Sequence, residues 1–594
     1  MLLGTSMSKR GPLQPDWRED VAAARSYRSI LKYDPRKFKH PSPAWYEMFK
    51  REFAMTDDDF RQRRPGGDEL VVLSRKSGFS DAQIQAFADI VGRENVSVDD
   101  YDRVKYGHGK SVDENLALRR GIVGAVPDLV VHPRDKADVV KIVALCNAQR
   151  IPIVTYGAGS GVVFGNRALN GGIALVLRTH MNKLLAVSEL NQTAVVQPGM
   201  MGPDYEAALN DAPRRFGTQR GYTCGHFPQS FELSSVGGWI LASGSGQAST
   251  YYGDACDLLV SAEYVTPAGS IKTRDIPGTA TGPRVNDILK GSEGAYGIMV
   301  EATLKVFRHM PENRQRFALM FKSWDAALAA SREIVQGEFG LPAVFRISDP
   351  EETEIGLKLK GFNDTVFDRF MQVRGFTPMQ RCLCIGTAEG ERGQARHVRR
   401  MALRIARTHG AMSLTSYATR QWEHGRYADV HMREDLLDYG IVIDTLETGV
   451  TWDNLRKVYE GVRAFAKQRP RTLCLTHCSH FYPQGTNLYF IFLLRPETEE
   501  EFFRFRAAAV DKMVECGGSI SHHHGIGRLF APWMETHLGK EQLDVLRALK
   551  KHFDPHNIMN PGGTLALDTG PAVGVGSADP LPGGSLHGAD PHHG

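Results

Sequence analysis

The chain reads as an α+β protein of more than one domain, and three observations predict this. Its 594 residues exceed what one ordinary hydrophobic core organises. Its composition, 42% hydrophobic and 24% charged, is that of a water-exposed globular chain. Short β-branched runs alternate with amphipathic helical stretches along most of its length.

The elements follow in order. Up to about Arg64 the sequence is charged and aromatic, with helical stretches broken by Pro35, Pro41 and Pro43. We assign 1–100 to an N-terminal helical extension that includes an amphipathic helix at Asp81–Val91, apolar at Ile84, Phe87, Ile90 and Val91. From Pro127, DLVVHP reads as a strand, DKADVVKIVALCNAQR as an amphipathic helix opened by Asp135, and IPIVTYG as a strand ending in glycine, a βαβ unit. This first region, 101–310, closes with the strand EATLKVF. A second α/β region, 311–515, holds strands such as RFALMF and LYFIFLL and helices such as WDAALAASREIV. Residues 516–568 return to the first region and carry SHHHGIG. The Gly-, Pro- and His-rich stretch 569–594 reads as a disordered tail.

A net charge of +4 gives no reason to invoke nucleic acid, though a local basic pocket for a phosphorylated substrate fits it. The eight cysteines are scattered and mostly in apolar contexts, and no paired zinc spacing occurs, so reduced thiols in a cytosol-like compartment are expected. No secretory signal, membrane-spanning run of about 18 apolar residues or Ser-Lys-Leu ending is found, and a cytoplasmic location, at most peripheral to a membrane, is expected.

The most informative segment is Tyr156-Gly157-Ala158-Gly159-Ser160-Gly161, directly after the strand IPIV. Glycines there let successive backbone N–H groups face inward as an anion-binding concavity, with Ser160 adding a donor. Further small-residue loops sit at Pro198-Gly199, at Ser235 with Gly237 and Gly238, at Ser243-Gly244, and at Glu293-Gly294 with Gly297. Ordinary tight turns explain any one of them; together they exceed what turn chemistry requires. A nicotinamide-binding unit needs GxGxxG opening a helix, and here GAGSG leads into VVFGNRALNGG, a poor helix.

The ordered series PDLVV, IPIVTYGAGSG, QPGM, GHFPQS, SSVGGW, SGSG, YYGD, GSEGAYGI resembles the FAD-binding module shared by vanillyl-alcohol oxidase and p-cresol methylhydroxylase. The resemblance implies a two-subdomain module of the p-cresol methylhydroxylase type, with the flavin ring at the border of an α/β cap domain. Some members carry the flavin on a histidine of the glycine-rich loop. Residues 157–161 contain neither His nor Cys, so FAD held without a covalent bond is expected.

Within that family, about residues 100–560 resemble the alkylglycerone-phosphate synthases, on YGHGKSVDENLALRRGIVGAVPD, FRISD, HMRED, LETGVTWD, NLYFIF and SHHHGIG in that order. Arg346 and Arg433 are permanently charged planar donors suited to a phosphate, although either alone reads equally as a surface ion pair. Tyr489 lies in an aromatic strand, where core packing is the plainer reading of a lone tyrosine. His522, His523 and His524 titrate near neutrality and suit proton transfer; on an extended backbone His522 and His524 would face one way and His523 the other. The bland alternatives are a metal cluster or a solvated run; the embedding between a helix and GIGRLFAPW argues against the run, no carboxylate-rich partner spacing argues for a metal, and none is expected.

The resemblance implies exchange of the acyl group of acyl-dihydroxyacetone phosphate for a fatty alcohol at the N5 of reduced FAD, without net redox change. Tyr489 and the histidines would then move protons, Arg433 would position the leaving carboxylate or the phosphate, and Arg346 would shape the pocket. Phe345, Leu446, Phe490 and Phe492 are expected to line an apolar tunnel. Lipid substrates, peripheral membrane contact and a homodimer are the expected partners. The alternative is an FAD-linked oxidase or dehydrogenase of an alcohol, phenol or 2-hydroxy acid. Metal-dependent hydroxy-acid dehydrogenases show a GDGNxH stretch, and here the run is Gln484-Gly485-Thr486-Asn487-Leu488-Tyr489. Two departures from the synthase pattern fall at Gln247–Thr250 and Gly449–Thr451.

Overall fold

The computed structural model describes residues 21–37, 41–62 and 66–568; the expected tail from Thr569 lies outside them. Three sheets organise the chain. The first takes β1 (Val96–Ser97), β2 (Leu129–Val131), β3 (Ile153–Tyr156) and β4 (Ile173–Val176) in the order β1-β2-β4-β3. β2 and β3 both run parallel to β4, which lies between them. The connecting helix Lys136–Gln149 is capped by Asp135, whose carboxylate accepts from the Asp138 N–H, as its sequence predicts. Helix Asp81–Val91 packs Phe87 and Val91 into the same core, and β1 pairs with β2, so this sheet starts ahead of residue 101.

The second sheet is antiparallel. It contains β5 (Leu184–Ser188), β6 (Thr193–Val196), β8 (Leu259–Thr266), β9 (Gly269–Lys272) and β10 (Ile298–Lys305), ordered β5-β6-β10-β8-β9. β7 (Tyr222–Thr223) and β11 (Phe307–Arg308) form a short ribbon that leads out of it.

The third sheet is antiparallel, seven-stranded and ordered β15-β12-β14-β13-β17-β18-β16. Its strands are β12 (Gln315–Phe321), β13 (Phe345–Ser348), β14 (Cys382–Ala388), β15 (Met412–Leu414), β16 (Val442–Thr451), β17 (Thr472–Tyr482) and β18 (Gly485–Leu494). One face buries Phe345, Leu446, Leu488, Phe490 and Phe492 under the helices Trp324–Gln336, Arg392–Thr408, Leu455–Gln468 and Glu499–Glu515. This corrects the tunnel reading. Side chains alternate along a strand, so Phe490 and Phe492 point into a closed core while Tyr489 points the other way.

That opposite face is partly roofed by the N-terminal segment. Tyr46, Phe49, Phe53 and Phe60 pack with Leu475, Ile491 and Leu493. Arg28 pairs with buried Asp438 at 2.6 Å and Lys32 with buried Asp435 at 2.7 Å. Both carboxylates follow closely on Arg433, so the N-terminal extension fixes the helix Asp429–Leu436 that carries it. All eight cysteines are free.

Candidate active site

The glycine loops come together at the ends of the first two sheets. Gly159 has φ +72, and a Cβ there would lie 1.8 Å from the Tyr156 hydroxyl. A Cβ on Gly157 would meet Ser235 Oγ at 2.5 Å, and one on Gly237 would meet Pro198 at 2.5 Å. Gly199 abuts the backbone of Arg178, and Ser243 adopts φ +51 opposite Gly291. Gly238 lies against Ser235, Gly244 against Trp239, and Gly294 opposite Thr155, whereas Gly161 faces open space. Thr155 Oγ1 and Ser235 Oγ are buried here without a hydrogen-bond partner. Unpaired buried hydroxyls beside exposed loop amides are what a polar, phosphate-bearing ligand satisfies. The residues present therefore fit a dinucleotide such as FAD.

Two residues expected in this cradle do other work. Gly297 lets β10 approach β8, since its Cβ would strike Thr266 at 2.7 Å. Glu293 accepts from the N–H groups of Ile526 and Gly527, each at 2.7 Å, and so ties the cradle to the turn after the histidines. Burial pushes its carboxyl up to about 7 against those two bonds.

Across from the cradle stands a rank of side chains on three adjacent strands. Tyr489 on β18 is registered with Glu447 on β16 and with His477 on β17. His477 stacks on the Tyr489 ring at 4.9 Å, His523 lies at 5.8 Å, and His524 meets it edge-on at 5.6 Å. Burial holds the phenol up at about 12, so it stays protonated at neutral pH.

The three histidines do not alternate as an extended strand would. Their backbone curls around one carboxylate. The N–H groups of His522, His523 and His524 and the Ser521 hydroxyl all donate to Glu447, at 2.6 to 3.2 Å. Gly525 then turns with φ +83. Burial works against charge on Glu447, but His524, His522 and these donors hold it below the usual carboxylate range. Burial and neighbouring imidazoles lower His523 well below the ordinary value, and burial lowers His524. Among the described residues, Glu447, His522 and His523 bring ligand atoms within 4.8 Å of one another. The four hydrogen-bond donors on Glu447 account for that closeness.

Arg433 lies beside this group and donates to the Lys110 carbonyl at 2.9 Å, while its Nε is buried and unpartnered. Lys110 in turn donates its N–H to the Gly161 carbonyl at 2.8 Å, which links the arginine to the cradle. Arg346 is set further back: its terminal nitrogen donates to Glu352 at 2.7 Å and contacts His477 at 3.2 Å. It meets Tyr489 only through His477, which fits shaping the pocket and not gripping a phosphate. Burial opposes ionisation of Glu352, yet Arg346 and His477 hold it down to about 2.

Several residues of the site escaped the sequence reading: Lys110, Glu447, His477, His480 and Tyr482, together with Tyr33, whose hydroxyl reaches the Ser160 carbonyl at 3.4 Å. Loss of water on burial brings the Lys110 ammonium down and the Glu434 carboxyl up, each against the attraction of the other. A lysine inside YGHGK was the one available signal.

A glycine cradle on two small sheets, closed by an antiparallel cap sheet that carries the titratable residues, defines an FAD-binding flavoprotein. The model described as FAD binding domain matches residues 127–274, and that of FAD linked oxidases, C-terminal domain, matches 310–564. p-Cresol methylhydroxylase shares the fold at TM-score 0.59 and 15% identity, over 83% of this chain and 98% of its own. The chain belongs to the alkyldihydroxyacetonephosphate synthase family. It is 31% identical over 479 residues to the Dictyostelium discoideum protein of that name, covering 77% of this chain and 76% of that one. To the Caenorhabditis elegans protein it is 29% identical, covering 77% and 79%. A solved alkyldihydroxyacetonephosphate synthase superposes at TM-score 0.73 with 27% identity, over 87% of this chain and 92% of its own.

Proposed function

We propose that this chain is an FAD-dependent alkylglycerone-phosphate synthase, which exchanges the acyl group of acyl-dihydroxyacetone phosphate for a fatty alcohol without net redox change. FAD, when bound, supplies nucleophilic N5 chemistry at carbon 1 of the substrate. The carrying observation is Tyr489, recessed between His477, His523 and His524 over a buried Glu447, with Arg433 connecting this group to the cradle through Lys110. Neutral imidazoles and a protonated phenol in one recess suit the proton movements that loss of a fatty acid and entry of an alcohol require. Arg433, with its unpartnered Nε, is the cation for the departing carboxylate or the phosphate.

The test is anaerobic incubation of the flavin-loaded protein with acyl-dihydroxyacetone phosphate and labelled fatty alcohol. Ether product with the flavin spectrum unchanged at the end supports the synthase. Flavin bleaching by simple alcohols or hydroxy acids, with no ether formed, supports the oxidase alternative. The absence of His and Cys from 157–161 supports a dissociable flavin, which denaturation should release into the supernatant.

Among the described residues no helix is long and apolar enough to cross a membrane. We assign peripheral contact with an anionic lipid surface to the helix Val366–Val373. It exposes Val366, Phe367, Phe370 and Val373, while its Met371 is buried. The pocket at its C-terminal end is lined by Lys322, Arg374 and Arg407 and by no carboxylate. Apolar side chains flanked by cations match an anionic bilayer. Phe367→Ser with Phe370→Ser should abolish sedimentation with anionic vesicles; unchanged sedimentation, or a change in oligomeric state instead, would reassign the face. A homodimer in the cytoplasm is proposed on family resemblance alone.

A further inference from the structure

A hydrogen-bonded chain leads from the first two sheets into the histidine turn, and it contains three residues with no role assigned above. Asp254 follows the loop that carries Ser243 and Gly244, and its Oδ1 accepts from the Ser245 hydroxyl. Its other oxygen, Oδ2, lies 2.6 Å from the Tyr482 hydroxyl at the end of β17. The same hydroxyl lies 2.8 Å from His522 Nε2. His522 Nδ1 is in turn 3.1 Å from His523 Nδ1. Each of these contacts needs one donor and one acceptor, and each ring nitrogen of a neutral imidazole can be only one of the two.

We propose that Asp254 and Tyr482 are positioning residues that set the direction of every proton in this chain and so leave the lone pair of His523 on Nε2. An ionised Asp254 can only accept, so the Tyr482 O–H points at it. The Tyr482 oxygen is then left to accept from His522 Nε2–H. A neutral His522 protonated on Nε2 has its lone pair on Nδ1, which accepts from His523 Nδ1–H. His523 is thereby a proton acceptor at Nε2. The far end agrees: Glu447 Oε2 lies 3.5 Å from His523 Nδ1, and a carboxylate there also favours the Nδ1–H form. A doubly protonated His522 would reverse the last link and turn a lone pair toward Glu447. Two hydroxyls, from Ser245 and Tyr482, converge on Asp254, and a carboxyl group that accepts both is held in its ionised form.

The proposal rests on the synthase reading for its use, since His523 would take a proton during the exchange, but the tautomer is measurable without turnover. The experiment is ¹⁵N-histidine NMR of the FAD-loaded full chain, with His523→Gln and His522→Gln samples used only to assign signals. Wild type should show His522 protonated on Nε2 and His523 on Nδ1. Tyr482→Phe removes the acceptor from His522, and Asp254→Asn can turn either an oxygen or an NH₂ toward Tyr482. Both tautomers of His522 should therefore appear in each variant, with kcat lower by about a hundredfold and KM little changed. Retention of FAD absorbance shows that a variant has folded, and if one fails the other carries the test. A wild-type His523 protonated on Nε2, or His522 signals unmoved in a folded variant, overturns the proposal. Ether formation without the expected tautomers sinks this inference and leaves the synthase reading standing. The expected tautomers in a protein that forms no ether do the reverse.

Discussion

The cradle around 157–161 and the histidine turn at 522–524 are tied together through Glu293, yet they are built by opposite means. The cradle is made by leaving side chains out: Gly157, Gly199 and Gly237 each press against a neighbour at a distance no Cβ would allow. The histidine turn is made by crowding charged and titratable groups around one buried carboxylate, Glu447. A site of the first kind recognises through backbone amides and tolerates no added atoms. A site of the second kind works through proton positions and depends on its electrostatic balance. Substitutions in the two halves should therefore fail differently, in cofactor affinity on one side and in turnover on the other.

The largest separation is expected at Tyr489. Tyr489→Phe keeps the ring stacked on His477 and removes the hydroxyl, so ether formation should fall by about 10³-fold. Flavin content and melting temperature should stay near wild type. Loss of flavin together with activity would mean that the cap face also builds the cradle, and the contrast would collapse. Gly157→Val should do the converse. Its Cβ alone would lie 2.5 Å from Ser235 Oγ, and overpacking of this kind costs about 1–3 kcal/mol, or about 5- to 150-fold in FAD affinity. Titration of the apoprotein with FAD measures it; turnover at saturating FAD should recover.

The same contrast explains what the sequence disclosed. The cradle was legible because it is local: glycines after a strand announce a close backbone approach whatever the rest of the chain does. The βαβ unit was legible for the same reason, although β4 slips between its two strands, a fact about pairing that no short segment contains. The histidine half was legible only as a motif. Glu447 lies 75 residues from His522, and nothing around it in LETGV marks a carboxylate that three backbone amides enclose. Tyr489 was found and its neighbours misread, because strand parity sends Phe490 and Phe492 into the core behind it. Asp254 and Tyr482 are 228 residues apart, one capping the helix Ala255–Leu258 and the other ending β17. Arg346 was read as a phosphate-suited or ion-paired arginine with no partner named, because Glu352 approaches it from the following helix, a turn that periodicity does not resolve.

The smallest expected effect probes a contact that joins the two halves. Glu447 and Glu293 are both recessed carboxylates that accept backbone N–H groups, but their shifts have opposite signs. Glu447 is held below the ordinary carboxylate value, so its contribution is present above the unfolded pKa and is lost as pH falls through the folded one. Glu293 is raised from 4.5 to about 7, so its contribution is full below 4.5 and is lost as pH rises through about 7. Between those values ionisation of Glu293 should therefore lower stability by burying a charge, although its bonds to Ile526 and Gly527 favour that form, while the Glu447 turn is unaffected. Thermal unfolding of the flavin-loaded protein should lose about 2 kcal/mol of stability between pH 5 and pH 8 from this group. Glu293→Gln, which cannot ionise, should flatten that slope at the cost of one accepted N–H. If the slope survives the substitution, Glu293 is ionised throughout and the two halves are joined by a charge, not by a neutral acid.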